Sequence, residues 1–342
     1  MTFVPTAEAE RQGPSAWRRY LWLPACFVLL YWMLRQVHLE DIRHAFAQLS
    51  VSTIVVIVFV LSPLAVLLRA LRWRILRNDA KVLPLHAYVG AYLIGVLASL
   101  LFFGKAGDLV KAQWICDSRR EYAGSLAVVV IDRLLEAAAL VLLFVLVLLF
   151  SPGVPVWAYK LMWVGGVGSV GGLLVIWYVL ARTQLCLRLL GGMVSWMGNQ
   201  RRSRILEETQ QLLENCRSLS KSSLLLRAML LALATWCLEV AIIVVLFSAL
   251  SIRSPWIVSG MVLLLALNLG NWVTISPGAV GFYQVLTAFA LSFWGVDRQT
   301  GIALGVVLQT ILFVPLYAVG AIWLCVWMRR KGKRVASPVL AN

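Results

Sequence analysis

Three stretches set charged side chains inside strongly apolar surroundings. The first is LLFFGKAGDLVKAQW, residues 100–114, where Gly104, Lys105, Gly107, Asp108 and Lys111 follow a hydrophobic run. A helix starting near Asp108 would aim its free backbone N–H groups back at the Gly104–Gly107 turn. Together with Lys105 they would form an anion site. The plainer alternative is a solvated hairpin end with Asp108 as its N-cap. The second stretch is IDRLLE, with Asp132, Arg133 and Glu136. Asp132 and Glu136 lie one helical turn apart, and Arg133 reaches Glu136 at i+3. A charge at the centre of a bilayer costs about 2.5–3.5 kcal/mol on insertion scales. Three together therefore imply either a neutralised packing cluster or a headgroup site with Arg133 as a phosphate fork. The third is Glu239 in LATWCLEVAII, with no basic residue nearby. It requires a proton or a charge from another helix, such as Arg133 or Lys105. A proton-coupled role and a structural hydrogen bond are both open.

A fourth stretch, NWVTISPGAVGFYQ at 271–284, carries no charge but breaks its apolar run with Pro277, Gly278 and Gly281. Gln284 follows, and Asn268, Asn271 and Ser276 add neutral polar groups. Its Gly278–Gly281 spacing repeats that of Gly104–Gly107. Glycine allows the backbone conformations a tight tip needs.

The elements that must hold these residues are membrane helices. Hydrophobic residues make up 61% of the 342-residue chain and charged residues 13%, whereas a soluble domain is roughly half apolar and a quarter charged. Apolar runs at 20–36, 51–69, 86–103, 123–150, 161–180, 224–250, 256–275, 280–295 and 300–328 are the predicted membrane segments. Residues 1–19 are expected to be a disordered cytoplasmic N-terminus, followed by an uncleaved first span. A single membrane domain then occupies 20–328. An amphipathic cytoplasmic helix is expected at about 201–219, and a basic cytoplasmic tail at 329–342. Fifteen tryptophans suit interface anchoring.

The net charge of +16 lies mostly in short connections. Positive-inside orientation explains it, and there is no basic–aromatic repeat that would suggest nucleic acid. Six scattered cysteines and three histidines form no metal-ligand spacing, so neither metal nor cofactor is expected. Arg69, Arg72, Arg74, Arg77 and Lys81 are read as one inside loop. The nearly uncharged 151–160 is then outside. Segment 86–103 must begin and end inside, and 256–296 must begin and end outside. The expected fold is an all-α polytopic membrane protein with about six crossings plus two opposed re-entrant hairpins. That arrangement is compatible with an inverted repeat and points to a transporter-like site at the tips.

Four stretches in order, LRALRWRIL (68–76), FGKAGDLVKA (103–112), VVVIDRLLEAAAL (128–140) and SPGAVGFYQ (276–284), resemble the lysylphosphatidylglycerol synthetase transmembrane-region family, also called the flippase-like domain. The resemblance runs from about 20 to 328. It places the aspartate–arginine pair on Asp132 and Arg133. Phe103 stands for the family's usual proline at the first tip and Lys105 for its arginine, while Asp108 keeps the acid. At the second tip Ala279 occupies a glycine place and Gln284 a glutamate place. The resemblance implies the lipid-moving half of an aminoacyl-phospholipid synthase, without the soluble aminoacyltransferase domain.

The expected function is binding and transbilayer movement of a lipid with a phosphate headgroup. Such a lipid could be an anionic or aminoacylated phospholipid or a polyprenyl-phosphate-linked lipid. The expected path runs along Gly104, Lys105, Gly107, Asp108, Asp132, Arg133, Glu136, Glu239, Pro277, Gly278, Gly281 and Gln284. No nucleotide-binding P-loop is present, and no catalytic constellation marks an enzyme. The rival readings are a membrane enzyme acting on a lipid-linked phosphate and an accessory subunit or scaffold for lipid-synthesis enzymes. The expected location is the bacterial inner membrane, with both termini in the cytoplasm.

Overall fold

The computed structural model describes residues 39–77, 83–101, 106–116, 119–150, 222–252, 254–273, 279 and 281–335, with scattered positions between 156 and 214. The predicted span 20–36, most of 161–180 and 201–219, and the tip residues Gly104, Lys105, Pro277 and Gly278 lie outside the described residues. Among those described, the ordered elements are helical.

A short helix α1 (Leu39–Gln48) precedes the long α2 (Val51–Leu76). Ser50 starts α2 by accepting a hydrogen bond from the Thr53 N–H at 3.2 Å. Pro63 lies close to its middle, where a proline removes one ladder donor and crowds the carbonyl four residues back. The chain absorbs this by widening over Ile57–Leu61 into a π-helical turn immediately upstream. The helix then continues through LRALRWRIL. This corrects the reading of Arg69, Arg72 and Arg74 as loop markers, because all three are helical. Leu, Arg and Ala are good helix formers, and Arg72 is buried against carboxylates while Arg74 is exposed.

Next come α3 (Leu85–Leu101) and α4 (Ala106–Trp114). At about 1.5 Å per residue the nine-residue α4 is roughly 14 Å long, under half of a hydrocarbon core about 30 Å thick. The two helices pack antiparallel and very closely. A Cβ on Gly107 would overlap the Gly95 carbonyl and the Ser99 hydroxyl. The long α5 (Arg119–Phe150) and α6 (Ser222–Ala249) follow. A second pair of short helices is α7 (Trp256–Val273) and α8 (Phe282–Ser292), packed through Gly270 against Phe282 and Leu286. The last helix, α9 (Arg298–Val335), is capped by Asp297, whose carboxylate accepts from the Gln299 N–H at 2.7 Å. Among the described residues, four helices are long and apolar enough to span a membrane: α2, α5, α6 and α9.

The largest apolar core joins α5, α6, α7 and α9, around Phe144, Ile243, Phe247, Met261 and Leu308. Helix α9 touches both short pairs. Gly301 and Gly305 lie against Ala288 and Gln284 of α8, and Gly320 lies against the Leu93 carbonyl of α3. Small residues at such crossings let backbones approach when lipid supplies no hydrophobic drive for association. Pro315 lies between the two contacts.

The start of α8 is held by a hydrogen-bond chain. The Gly281 N–H donates to Gln284 Oε1 at 2.7 Å, and Gln284 Nε2 donates to Gln309 Oε1 at 2.7 Å. Just before it, Ala279 adopts φ +55°, in the left-handed region. A side chain there is unfavourable by about 1–2 kcal/mol, partly offset because glycine is freer when unfolded. Ala279→Gly should therefore stabilise the protein by roughly 0.5–1 kcal/mol, read as a raised thermal midpoint in detergent. A lowered midpoint would show that the tip favours the alanine.

Candidate functional site

Eight charged side chains from four helices meet in one network. Helix α2 supplies Arg69 and Arg72, α4 supplies Asp108 and Lys111, α5 supplies Asp132, Arg133 and Glu136, and α6 supplies Glu239. Within α2, α4 and α5 the groups recur at i,i+3 or i,i+4 spacing, which puts such pairs on one face, and α6 adds Glu239 alone.

Glu136 lies at the centre. Its Oε1 accepts from Arg72 Nη2 at 2.5 Å and lies 3.8 Å from Arg69 Nε, and its Oε2 accepts from Arg133 Nη1 at 2.5 Å. Its backbone carbonyl accepts from Trp236 Nε1 of α6 at 2.9 Å. Arg72 Nε donates to Asp132 Oδ1 at 2.6 Å. Lys111 Nζ lies 3.8 Å from Asp132 Oδ2 and 3.5 Å from Asp108 Oδ1, and stands 4.0 Å over the Trp73 ring. Arg133 Nη2 donates to Asp108 Oδ1 at 2.7 Å. Arg69 Nη2 donates to Glu239 Oε1 and closes the network on α6.

Four cations and four anions make this set neutral. Its inner members are fully shielded, with Arg72 and Asp132 side chains 1% and 2% exposed. Its outer members are not. Asp108, Arg69, Glu239 and Arg133 are 13%, 15%, 22% and 27% exposed. These four line a cavity of about 230 Å³. Its other walls carry Tyr92, Asn268, Tyr283 and Tyr317, with leucines of α7 and α9. Ser62 also lines it, and its hydroxyl is buried with no hydrogen-bond partner among the described residues.

The predicted site residues fall into three groups. Asp108, Arg133, Glu136 and Glu239 line the cavity, and Asp132 lies behind it in the network. Gly107 packs the α3–α4 pair, while Gly281 and Gln284 build the second tip. Gly104, Lys105, Pro277 and Gly278 lie outside the described residues. Helix α4 starts before Asp108, so Asp108 sits in its first turn and turns to Arg133 and Lys111. Glu239 finds a partner in Arg69, while Arg133 pairs with Asp108 and Glu136 and Lys105 lies outside the described residues. Arg69 and Arg72 were missed as site residues because they end an apolar run, where arginine ordinarily marks the inner interface. Their i,i+3 spacing, and the need of four carboxylates for four cations, was the available signal.

Removing one partner of a buried ion pair costs about 3–5 kcal/mol because the other charge is stranded. Arg72→Met should therefore lower stability by about that amount. Arg72→Met with Asp132→Leu should recover part of the loss, measured by thermal unfolding in one detergent. Additive losses would show that Arg72 and Asp132 do not depend on each other.

The family described as lysylphosphatidylglycerol synthase TM region matches residues 21–320. No curated protein and no solved structure matches the chain. The matched segment contains all eight members of the ion network and both pairs of short helices. The chain belongs to the lysylphosphatidylglycerol synthase TM region family.

Proposed function

We propose that this membrane protein binds the headgroup of a phosphate-bearing lipid in the cavity between α2, α4, α5 and α6 and carries it between leaflets. One observation carries the reading. Partly exposed arginines and carboxylates line a cavity inside a bundle that exposes many large apolar side chains. Ionisable groups at such depth are expensive and ordinarily mark a substrate pathway. The cavity is smaller than the roughly 300–1,000 Å³ that encloses a whole small-molecule ligand, which suits a headgroup whose acyl chains stay in lipid.

The short helix pairs α3–α4 and α7–α8 are read as re-entrant hairpins. Helix α4 is too short to cross, and irregular backbone at membrane depth needs a protein-lined or wet surrounding. The cavity lies between them, lined by Gly95, Val96 and Ser99 of α3 and by Ala279 and Tyr283 at the second tip. The arginine and lysine bias of the connections orients both termini to the cytoplasm of a bacterial inner membrane. The protein acts in this reading as a carrier rather than an enzyme, alongside enzymes that make or consume the lipid.

Reconstitution in liposomes with a fluorescent phospholipid tests the proposal. The wild-type chain should exchange the lipid between leaflets above the protein-free rate, and Arg69→Ala and Arg133→Ala should each slow exchange by about tenfold or more. Wild-type exchange at the protein-free rate would remove the carrier reading. Charge substitutions that alter stability alone would favour a scaffold for lipid-synthesis enzymes.

A further inference from the structure

We infer that the cavity takes a zwitterionic headgroup of the phosphoethanolamine type, with Arg69 and Ser62 toward its phosphate and Glu239 toward its primary ammonium. This inference rests on the lipid-carrier reading above and names the substrate class of that same site.

The first ground is charge balance. The cavity rim presents two ion pairs, Arg69 with Glu239 and Arg133 with Asp108. The groups behind them, Arg72 and Lys111 with Asp132 and Glu136, are balanced too. A headgroup carrying only negative charge would gain an arginine but face two carboxylates at short range, where a low dielectric strengthens repulsion. It would also strand whichever carboxylate lost its arginine, the costly outcome for buried ions. A headgroup carrying one charge of each sign avoids both. It exchanges one internal pair for two ligand pairs and leaves every charge matched.

The second ground is which pair can open. Glu136 is held by three arginines, and Asp108 by Arg133 and Lys111. Glu239 has Arg69 as its single ionic partner among the described residues. When Arg69 turns to a ligand it still lies near Glu136, so the cation keeps a counter-charge. Glu239 then requires a new one. Arg69 now gives Glu239 an N–H donor, and a replacement must do the same. A primary ammonium has three such donors; a trimethylammonium has none.

The third ground is unused hydrogen-bonding capacity at the cavity. Ser62 and Arg133 both line it, and the Ser62 hydroxyl and Arg133 Nε, shielded in this arrangement, have no hydrogen-bond partner among the described residues. Both suit phosphate oxygens, which accept several hydrogen bonds at once. Tyr283, Phe313 and Tyr317, which also line the cavity, form a run of neighbouring rings. Their ring centroids are 5.6 Å apart for Tyr283–Phe313 and 6.0 Å for Phe313–Tyr317. Aromatic faces attract an ammonium.

The experiment uses the purified full chain, exposed to mixed vesicles holding equal phosphatidylethanolamine, phosphatidylcholine and phosphatidylglycerol. Lipid retained in mild detergent is read by native mass spectrometry. The wild-type protein should retain phosphatidylethanolamine over each of the others by roughly tenfold, the scale set by one stranded charge partner. Glu239→Gln should abolish that preference and raise phosphatidylglycerol, because the network is then left with one net positive charge at the cavity. Should this variant fail to fold, the wild-type chain alone gives a second reading. Retention should fall stepwise through the mono- and dimethylated ethanolamine lipids as N–H donors are lost. Equal or greater retention of phosphatidylglycerol or phosphatidylcholine would overturn the inference and leave the carrier reading standing. So would an unchanged preference in Glu239→Gln. Retention of none of the three lipids would overturn the carrier reading itself.

Discussion

The arrangement of the helices depends on the Glu136 carboxylate. One anion in an apolar interior is prohibitively unfavourable unless cations and hydrogen bonds surround it. Here it meets guanidinium groups from two helices, Arg69 and Arg72 on α2 and Arg133 on its own α5. Those arginines in turn require further anions, and Asp108, Asp132 and Glu239 answer them. The set closes only when α2, α4, α5 and α6 hold one mutual register. Sliding any of them by a turn, about 5.4 Å, would leave several ions without partners at once. Apolar contacts impose no such condition, because lipid tails satisfy a leucine as well as another helix does.

What apolar packing adds is proximity. Gly95 and Gly107 let α4 lie against α3, which carries Asp108 and Lys111 to the carboxylates and arginines of α5. Gly301 and Gly305 do the same for α8 against α9, and Gln284 reaches Gln309 of α9 across that contact. The tip that this hydrogen bond secures presents Tyr283 and Ala279 to the cavity. Glycine contacts and ion pairs are thus consecutive steps. The first brings backbones close enough for side chains to meet, and the second decides which register persists.

The helical, membrane-embedded character of the chain was legible in its apolar runs, and the short pairs in their interrupting glycines. Asp132, Arg133 and Glu136 were legible as a cluster because i,i+3 and i,i+4 partners lie on one helix. Partners distant in sequence were not. Arg69 and Arg72 stand 60 to 170 positions from the acids they bind, and locally they look like the end of a span. The π-helical turn before Pro63 was also hidden, since proline predicts a disturbance of the ladder but not how the backbone absorbs it. Gln284 drew notice as a polar residue near a tip. Its two hydrogen bonds, one of them buried, make it a positioning residue, a distinction that depends on which way an amide faces.

A fully paired network can look too satisfied to bind anything, yet its burial is uneven. Arg72 and Asp132 are sealed and shared, so opening them would strand charges in hydrocarbon. Arg69 and Glu239 lie at the cavity, and Arg69 alone has a second carboxylate to fall back on. The inner pairs therefore hold the helices while the outer pair remains free to exchange partners. Had all eight groups been equally buried, the same charges would be a structural rivet. Had all eight been exposed, solvent would screen them and the helices would lose their register. In the proposed function, the gradient from 1% to 27% exposure is what would let one ion network fix a fold and still offer a site.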